Sequence, residues 1–294
     1  MKKILVTGSN GQLGSELRQL SPLLVDFEFI FTDYAELPID DESAVHSFFK
    51  EHKPLYCINC AAYTAVDKAE NDQEKAMLVN GTSVGFLAKA AAEYGTRFIH
   101  ISTDYVFDGE ATEPIREDAP VNPLGVYGLT KLKGEQLALE YAPDAIIIRT
   151  AWVYSAYGHN FVKTMLRLMS ERQELNVVSD QLGSPTYAAD LAKAILDIIV
   201  YLEQYSGEEQ LSGIYHYSND GVISWYDFAV AIRDLSGSKC QINPIPTSAY
   251  STPAKRPAYS VLSKEKIQTV FGLQTIPWKD SLQICLLQLQ QSLA

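Results

Sequence analysis

Cysteine is scarce, at four in 294 residues. The thiols form neither a disulfide framework nor a zinc-ligand pattern, because the histidines (46, 52, 100, 159 and 216) never fall at ligand spacing with one another or with a thiol. Cys57-Ile-Asn-Cys60 has the spacing of a redox motif. It sits, however, in Pro54-Leu-Tyr-Cys-Ile-Asn-Cys-Ala-Ala62, which reads as a buried strand whose residues three apart face opposite ways. Reactive pairs sit at helix N-termini instead, so both are expected as core thiols. Positive charge is also short: 24 Lys and Arg stand against 36 Asp and Glu, a net charge of −12. That balance argues against a nucleic-acid polymer or an anionic membrane as main partner, though not against a small phosphate ligand at a helix N-terminus. Long apolar runs are missing. Ile4-Leu-Val6 stops in Thr-Gly-Ser-Asn-Gly, short of a signal-peptide core, and the longest stretch, Ala194 to Leu202, contains Asp197. A soluble cytoplasmic protein with no membrane segment and no metal site is expected.

What the chain does have is 47% hydrophobic residues against 20% charged, enough for a substantial core. Its length suits one large domain, or a domain and a lobe, at ~100–200 residues per domain. Continuous apolar strands are predicted at Lys3–Thr7, Phe27–Thr32, around Ile58, at Arg97–Ser102 and at Ala145–Arg149. Between them lie helical segments through Leu13, Leu17 and Leu20, through Val45, Phe48 and Phe49, and from about Glu74 to Tyr94 with Gly95 as its stop. Apolar strands alternating with helices imply a parallel sheet covered on both faces. The fold class is therefore α/β: a doubly wound parallel sheet of Rossmann type, with ligands at the carboxyl ends of its strands. Beyond Trp152 the rhythm breaks, and a smaller interleaved lobe is expected. Residues 1–160 and 187–217 are assigned to the dinucleotide-binding domain, and 161–186 and 218–294 to the substrate-binding lobe.

Gly8-x-x-Gly11-x-x-Gly14 follows the first strand and opens the first helix. In that context glycines let the turn close and the backbone approach a pyrophosphate, which rests on the helix N-terminus. Asp33 ends the second strand, roughly 20 residues on, where a carboxylate meets a ribose hydroxyl. It would repel a 2′-phosphate, which leans toward NADH over NADPH; the other reading of Asp33 is a turn residue. Tyr127 and Lys131, in Val126-Tyr-Gly-Leu-Thr-Lys131, share one helix face. An ammonium beside a phenol favours the phenolate and so lowers the Tyr pKa from ~10. Thr103, in Ser102-Thr-Asp-Tyr-Val-Phe107 just past a strand end, is placed to hydrogen-bond a carbonyl oxygen, unless its hydroxyl only closes a backbone turn.

These motifs together resemble the extended short-chain dehydrogenase/reductases, and within them the dTDP-4-dehydrorhamnose reductase family. Asn59–Glu70, Ile148–Tyr154, Asn160–Leu168, Asp180–Thr186 and Thr252–Pro257 carry the resemblance along nearly the whole chain. It implies cofactor contacts at Gly11, Gln12, Leu13, Asp33, Asp40, Asp41, Ala62, Tyr63, Thr64, Tyr127 and Lys131, and substrate contacts at Thr103, Asp104 and Trp152. The implied reaction is NAD(P)H-dependent reduction of the C4 carbonyl of dTDP-4-dehydro-β-L-rhamnose, with Tyr127 as proton donor, Lys131 on the nicotinamide ribose and Thr103 on the oxygen. The rivals are a nucleotide-sugar epimerase, and a non-catalytic regulatory protein like the subunit of methionine adenosyltransferase that resembles the same family. Some members dimerise through magnesium held by three acidic residues. Glu16 matches the first, but Ala189 stands at the second with Asp190 beside it, and the tail from Leu282 to Ala294 has no acid. A homodimer, if formed, is therefore expected without a magnesium bridge.

Overall fold

The computed structural model describes residues 1–207 and 211–291. Residues 208–210, within the stretch assigned to the dinucleotide-binding domain, and 292–294, at the end of the lobe and of the acid-free tail, lie outside the described residues. The first half runs β1 (Lys2–Thr7), α1 (Gln12–Leu20), β2 (Phe27–Phe31), α2 (Glu42–His52), β3 (Tyr56–Asn59), α3 (Val66–Ala69), α4 (Gln73–Met77) and α5 (Ser83–Tyr94). It closes with β4 (Arg97–Thr103), α6 (Val126–Tyr141) and β5 (Ile146–Thr150). The second half has the short β6 (Val153–Tyr154), α7 (Phe161–Glu171), β7 (Glu174–Val178), β8 (Leu182–Gly183), β9 (Thr186–Tyr187) and α8 (Ala188–Gln204). It ends with β10 (Gly213–His216), β11 (Ile223–Ser224), α9 (Trp225–Ser236), β12 (Gln241–Ile245), α10 (Glu265–Phe271) and α11 (Trp278–Gln291).

A six-stranded sheet has the order β10-β5-β4-β3-β1-β2, with every pairing parallel. Strand period two explains why successive apolar residues of a strand pack on opposite faces. Ile4, Val6, Ile58, Ile99 and Ile146 face Leu13 and Leu17 of α1 and Leu191, Ile195 and Ile198 of α8. Leu5, Cys57, Phe98 and Ile147 point the other way, onto Phe49 of α2, Leu87 and Ala91 of α5 and Ala138 of α6. Both faces are thus dry, and each buried aliphatic side chain contributes on the order of 1.5–3 kcal/mol. The chain passes from β2, on one side of β1, to β3 on the other, so a crevice opens at the carboxyl ends of those strands. The sheet has the doubly wound arrangement read from the alternation.

Two expectations need correction. The helix expected from Glu74 to Tyr94 is interrupted by a π-helical turn, Leu78–Thr82, which carries Asn80 at its centre. Asn80 is fully buried and accepts from the Tyr63 N–H at 2.8 Å while its amide donates to the Tyr63 carbonyl and to Thr130. The extra residue of the bulge sits where a side chain is spent on binding neighbouring backbone. Second, α10 was expected in the lobe, yet its Ile267 and Phe271 pack into the core around α1 and α8, and Lys266 donates to the Ile214 carbonyl of β10. The lobe proper has its own core, built on α7, α9 and α11 with the β7–β12 pair, around Phe228, Ile232, Leu175 and Leu282. Among the described residues no helix is long and apolar enough to cross a membrane.

Candidate active site

The glycines of the first turn serve different purposes. Gly8 has φ +63°, and a Cβ there would stand 2.6 Å from the Ala61 nitrogen, so both conformation and space demand glycine. A Cβ at Gly14 would lie 2.5 Å from the Gly8 carbonyl oxygen, so this residue lets α1 pack onto its own loop. Gly11 is the N-cap of α1, which has no side-chain cap and no acid in its first turn. Its N-terminal amides, with their positive dipole end, are left to a ligand, and the donor set fits a pyrophosphate. Asp33 accepts from the Asn10 N–H at 3.0 Å and from the Tyr34 N–H at 2.8 Å. It is therefore tied to the glycine loop as well as to its own turn.

The crevice holds a cavity of about 760 Å³. Its wall includes Gly8, Gly11, Gln12, Leu13, Asp33, Asp40, Ala62, Thr64, Thr103, Asp104, Tyr127, Lys131 and Trp152. Three expected contacts lie outside that wall. Gly14 packs inside the loop, and the Asp41 carboxylate is the N-cap of α2, accepting from the Ser43 and Ala44 amides. Tyr63 turns away, its hydroxyl donating to Asp72 at 3.1 Å.

Thr103 ends β4. Its hydroxyl donates to Asp104 Oδ1 at 3.0 Å and accepts from the Tyr105 N–H at 3.2 Å. Burial lifts the Asp104 carboxyl to about 6, against hydrogen bonds that pull it down. Tyr127 stands in the first turn of α6, its ring edge-to-face with Tyr105 at 5.4 Å. Burial pushes its phenol up to about 12; a hydrogen bond with Thr103 pulls it down and the Asp104 charge pushes it further up. The expected lowering by Lys131 is therefore not what is found. The Lys131 amine donates instead to the Ile101 carbonyl at 2.6 Å, and burial brings its own pKa down to about 8 against the opposing charge of Glu135.

Several residues at the site had no signal in the sequence. Behind Lys131 runs a buried chain of Thr7, Asn59 and His100. Arg149 of β5 makes a two-pronged pair with Glu135 of α6 at 2.8 and 2.7 Å, and the Ser102 hydroxyl donates to the same carboxylate. Trp152 has φ +49° and stacks on Trp225 at 3.6 Å, so α9 backs the aromatic residue that lines the lobe end of the cavity. Neither the strained backbone of Trp152 nor its stacking on Trp225 leaves a mark in the sequence. Glu16, matched to the first acidic position, has a partner within the chain: Ser155 donates to its buried carboxylate at 2.7 Å. Among the described residues no group of three or more His, Cys, Asp or Glu side chains is arranged to hold a metal.

A wholly parallel sheet with a glycine turn at its switch point, and a Tyr-Lys helix facing that turn across one cavity, is the architecture of the dinucleotide-binding short-chain dehydrogenase/reductases. The chain matches the family model described as RmlD substrate binding domain over residues 1–291, and it belongs to that family. A dTDP-4-dehydrorhamnose reductase of Aggregatibacter actinomycetemcomitans is 43% identical over 291 residues, covering 96% of this chain and 97% of the relative. The crystal structure of a dTDP-4-dehydrorhamnose reductase from Clostridium acetobutylicum is similar at a TM-score of 0.92 and 45% identity, covering 98% of this chain and 99% of that one. The enzyme of the same description from Bacillus anthracis, solved in complex with NADP, is similar at 0.91 and 37% identity, covering 98% of this chain and 100% of that one.

Proposed function

We propose that this chain reduces the C4 carbonyl of dTDP-4-dehydro-β-L-rhamnose to give dTDP-L-rhamnose, using NADH or NADPH. The observation that carries the reading is that Thr103, Tyr127 and Lys131 share one cavity wall with the open N-terminus of α1. Full-length similarity to dTDP-4-dehydrorhamnose reductases supplies the substrate. A bound reduced nicotinamide supplies the hydride that the carbonyl carbon receives. The chain supplies the rest. Tyr127, protonated across neutral pH because its pKa is raised, gives its proton to the developing alkoxide. Thr103 orients that oxygen, so charge develops against a donor already in place. Lys131 holds the ribose side of the cavity, and Trp152 with Asp104 borders the sugar. Asp33 favours a free ribose hydroxyl, and so NADH, although the Bacillus anthracis relative was solved with NADP. A nucleotide-sugar substrate and a nicotinamide cofactor favour a cytoplasmic setting. The division into a dinucleotide-binding domain and a lobe is retained, with α10 moved to the former, and any homodimer is read as held by protein contacts.

The test follows NAD(P)H absorbance after adding enzymatically prepared dTDP-4-dehydrorhamnose, with the sugar product identified. Stoichiometric oxidation and dTDP-L-rhamnose are expected. Cofactor that stays bound and unconsumed while the sugar interconverts would refute the reading in favour of an epimerase. An inert chain that co-purifies with another enzyme would refute it in favour of a regulatory subunit.

A further inference from the structure

Behind Lys131, three buried polar side chains form a line in which each hydrogen-bond direction is fixed by the one before it. The Ala61 N–H, which can only donate, donates to Asn59 Oδ1 at 3.2 Å, and the Thr7 hydroxyl donates to the same oxygen at 2.6 Å. The amide orientation of Asn59 follows, so its Nδ2 is the donor toward His100 Nδ1 at 3.0 Å. His100 Nδ1 is then an unprotonated acceptor. A neutral imidazole carries its one proton on the other nitrogen, so Nε2–H faces Lys131 Nζ, 3.5 Å away. Thr7, Asn59, His100 and Lys131 are each at most 2% exposed, so no solvent relieves a mismatch.

We infer that His100 is a positioning residue which, held in the Nε2–H tautomer by Asn59, disfavours the ammonium form of Lys131 and makes this lysine a readily deprotonated member of the Tyr-Lys pair. An ammonium has three donors and no acceptor, so one faces the Nε2–H donor. A neutral amine has a lone pair to receive that donor and two N–H groups, one for the Ile101 carbonyl and one for the cavity. An imidazolium is disfavoured as well: it would set Nδ1–H against the Asn59 amide, and burial together with the Lys131 charge holds the His100 pKa well below its ordinary value. The other charged or titratable groups facing Lys131 are Glu135, four residues along α6, and Cys60 just past β3. Both favour the ammonium, and Arg149 of β5 offsets Glu135 through its two-pronged pair. His100 is thus the one polar neighbour on β4 whose proton opposes it.

This inference rests on Lys131 belonging to the active pair, but its test needs no sugar substrate, so its failure and that of the proposed reaction are distinguishable. Long-range proton–nitrogen correlation spectra of wild-type protein with labelled histidine nitrogens report the tautomer directly. His100, assigned by its loss in His100→Phe or His100→Gln, is expected as Nε2–H at neutral pH. His216 is an internal control of the opposite kind, because its Nδ1 lies 3.1 Å from the Ile115 carbonyl and must donate. An Nδ1–H tautomer or an imidazolium at His100 overturns the inference. In His100→Phe the alkaline fall in NADH affinity, as Lys131 loses its charge, is expected to move up by roughly half to one pH unit, the shift for losing one opposed hydrogen-bond donor. An unmoved limb overturns it too. Should neither variant fold, the wild-type spectrum, assigned by its pH-insensitive buried signals, still decides the tautomer.

Discussion

Arg149→Met should be the most damaging single change away from the cavity wall. Arg149 and Glu135 are each 2% exposed and joined by two hydrogen bonds, with the Ser102 hydroxyl on the same carboxylate. The guanidinium also lies over the Phe107 ring, 5.0 Å from its centroid. Methionine retains most of the stem's packing but leaves Glu135 as a buried carboxylate with the Ser102 hydroxyl as its remaining hydrogen bond and the Lys131 amine, not hydrogen-bonded to it, as a nearby charge. Removing one partner of such a pair costs ~3–5 kcal/mol, mostly as the penalty of the stranded charge. At ~2–4 °C per kcal/mol the melting temperature should fall by roughly 6–20 °C. The double variant Arg149→Met/Glu135→Leu strands no charge and should recover most of the loss. Urea and thermal unfolding of both variants measure the difference. A single variant that loses less than ~1 kcal/mol, or a double variant no better than the single, would refute the reasoning.

Tyr127→Phe removes the proposed proton donor and should lower kcat by ~10²–10⁴ with NADH affinity kept; near-wild-type turnover under chemistry-limited conditions would exclude Tyr127 as the acid. Asp33→Ala should move the NADH/NADPH ratio of kcat/KM toward NADPH by removing a charge opposed to a 2′-phosphate, and an unchanged ratio would leave Asp33 only its bracing of the glycine loop and its own turn. Burial raises the Glu16 pKa, so the folded chain holds that proton more tightly than the unfolded one. That stability is present in full below the ordinary carboxylate range and is lost as pH rises through the raised value; Glu16→Gln should flatten this slope, read as unfolding free energy against pH. Glu16 is engaged by Ser155, and Asp190 by Asn219 at 2.7 Å and Ser281 at 2.5 Å, so activity and sedimentation should be indifferent to EDTA. Dissociation in EDTA that magnesium reverses would sink that idea.

The sheet was legible because strands buried on both faces are mostly apolar, and Leu5, Ile58, Phe98 and Ile147 point to a doubly covered layer. Gly8 and the Tyr127–Lys131 spacing were legible because each is a local pattern set by backbone geometry. The Asn59–His100 and Glu135–Arg149 contacts were not, because they join different elements and the only local signature is one polar side chain in an apolar strand or, for Glu135, one more charge on a helix. The π-turn at Asn80 escaped for a related reason: hydrogen-bond register inside a helix leaves no mark on composition. Tyr63 and Asp41 belonged to segments that do reach the cavity, but the neighbouring Asp72 and the free amides of α2 claim their side chains.

Helix α6 is where stability and function part company. Its buried face is Gly128, Thr130, Lys131, Gly134, Glu135 and Ala138, with no large aliphatic residue among them. Gly134, in the helix interior, sacrifices about 1 kcal/mol against alanine and Gly128, in the first turn, less, and a buried lysine and glutamate add a desolvation cost of several kcal/mol. Close approach explains the glycines. A Cβ at Gly128 would lie 2.1 Å from the Tyr105 carbonyl oxygen, and one at Gly134 would lie 2.2 Å from that of Asn80. The helix is thereby pressed against the turn that follows Thr103 and against the π-turn, at a distance only glycine allows. Hydrogen bonds then fix its rotation: Thr130 to Asn80, Lys131 to Ile101, Glu135 to Arg149. A greasy face would hold the helix more firmly but would let it settle by rolling, since apolar contacts are not directional. Directional bonds on both sides of Lys131 remove that freedom, and Tyr127, one turn before it, meets the end of β4 at a set height and angle. The stability given up along α6 is what holds the phenol, the amine and the Thr103 hydroxyl on one wall.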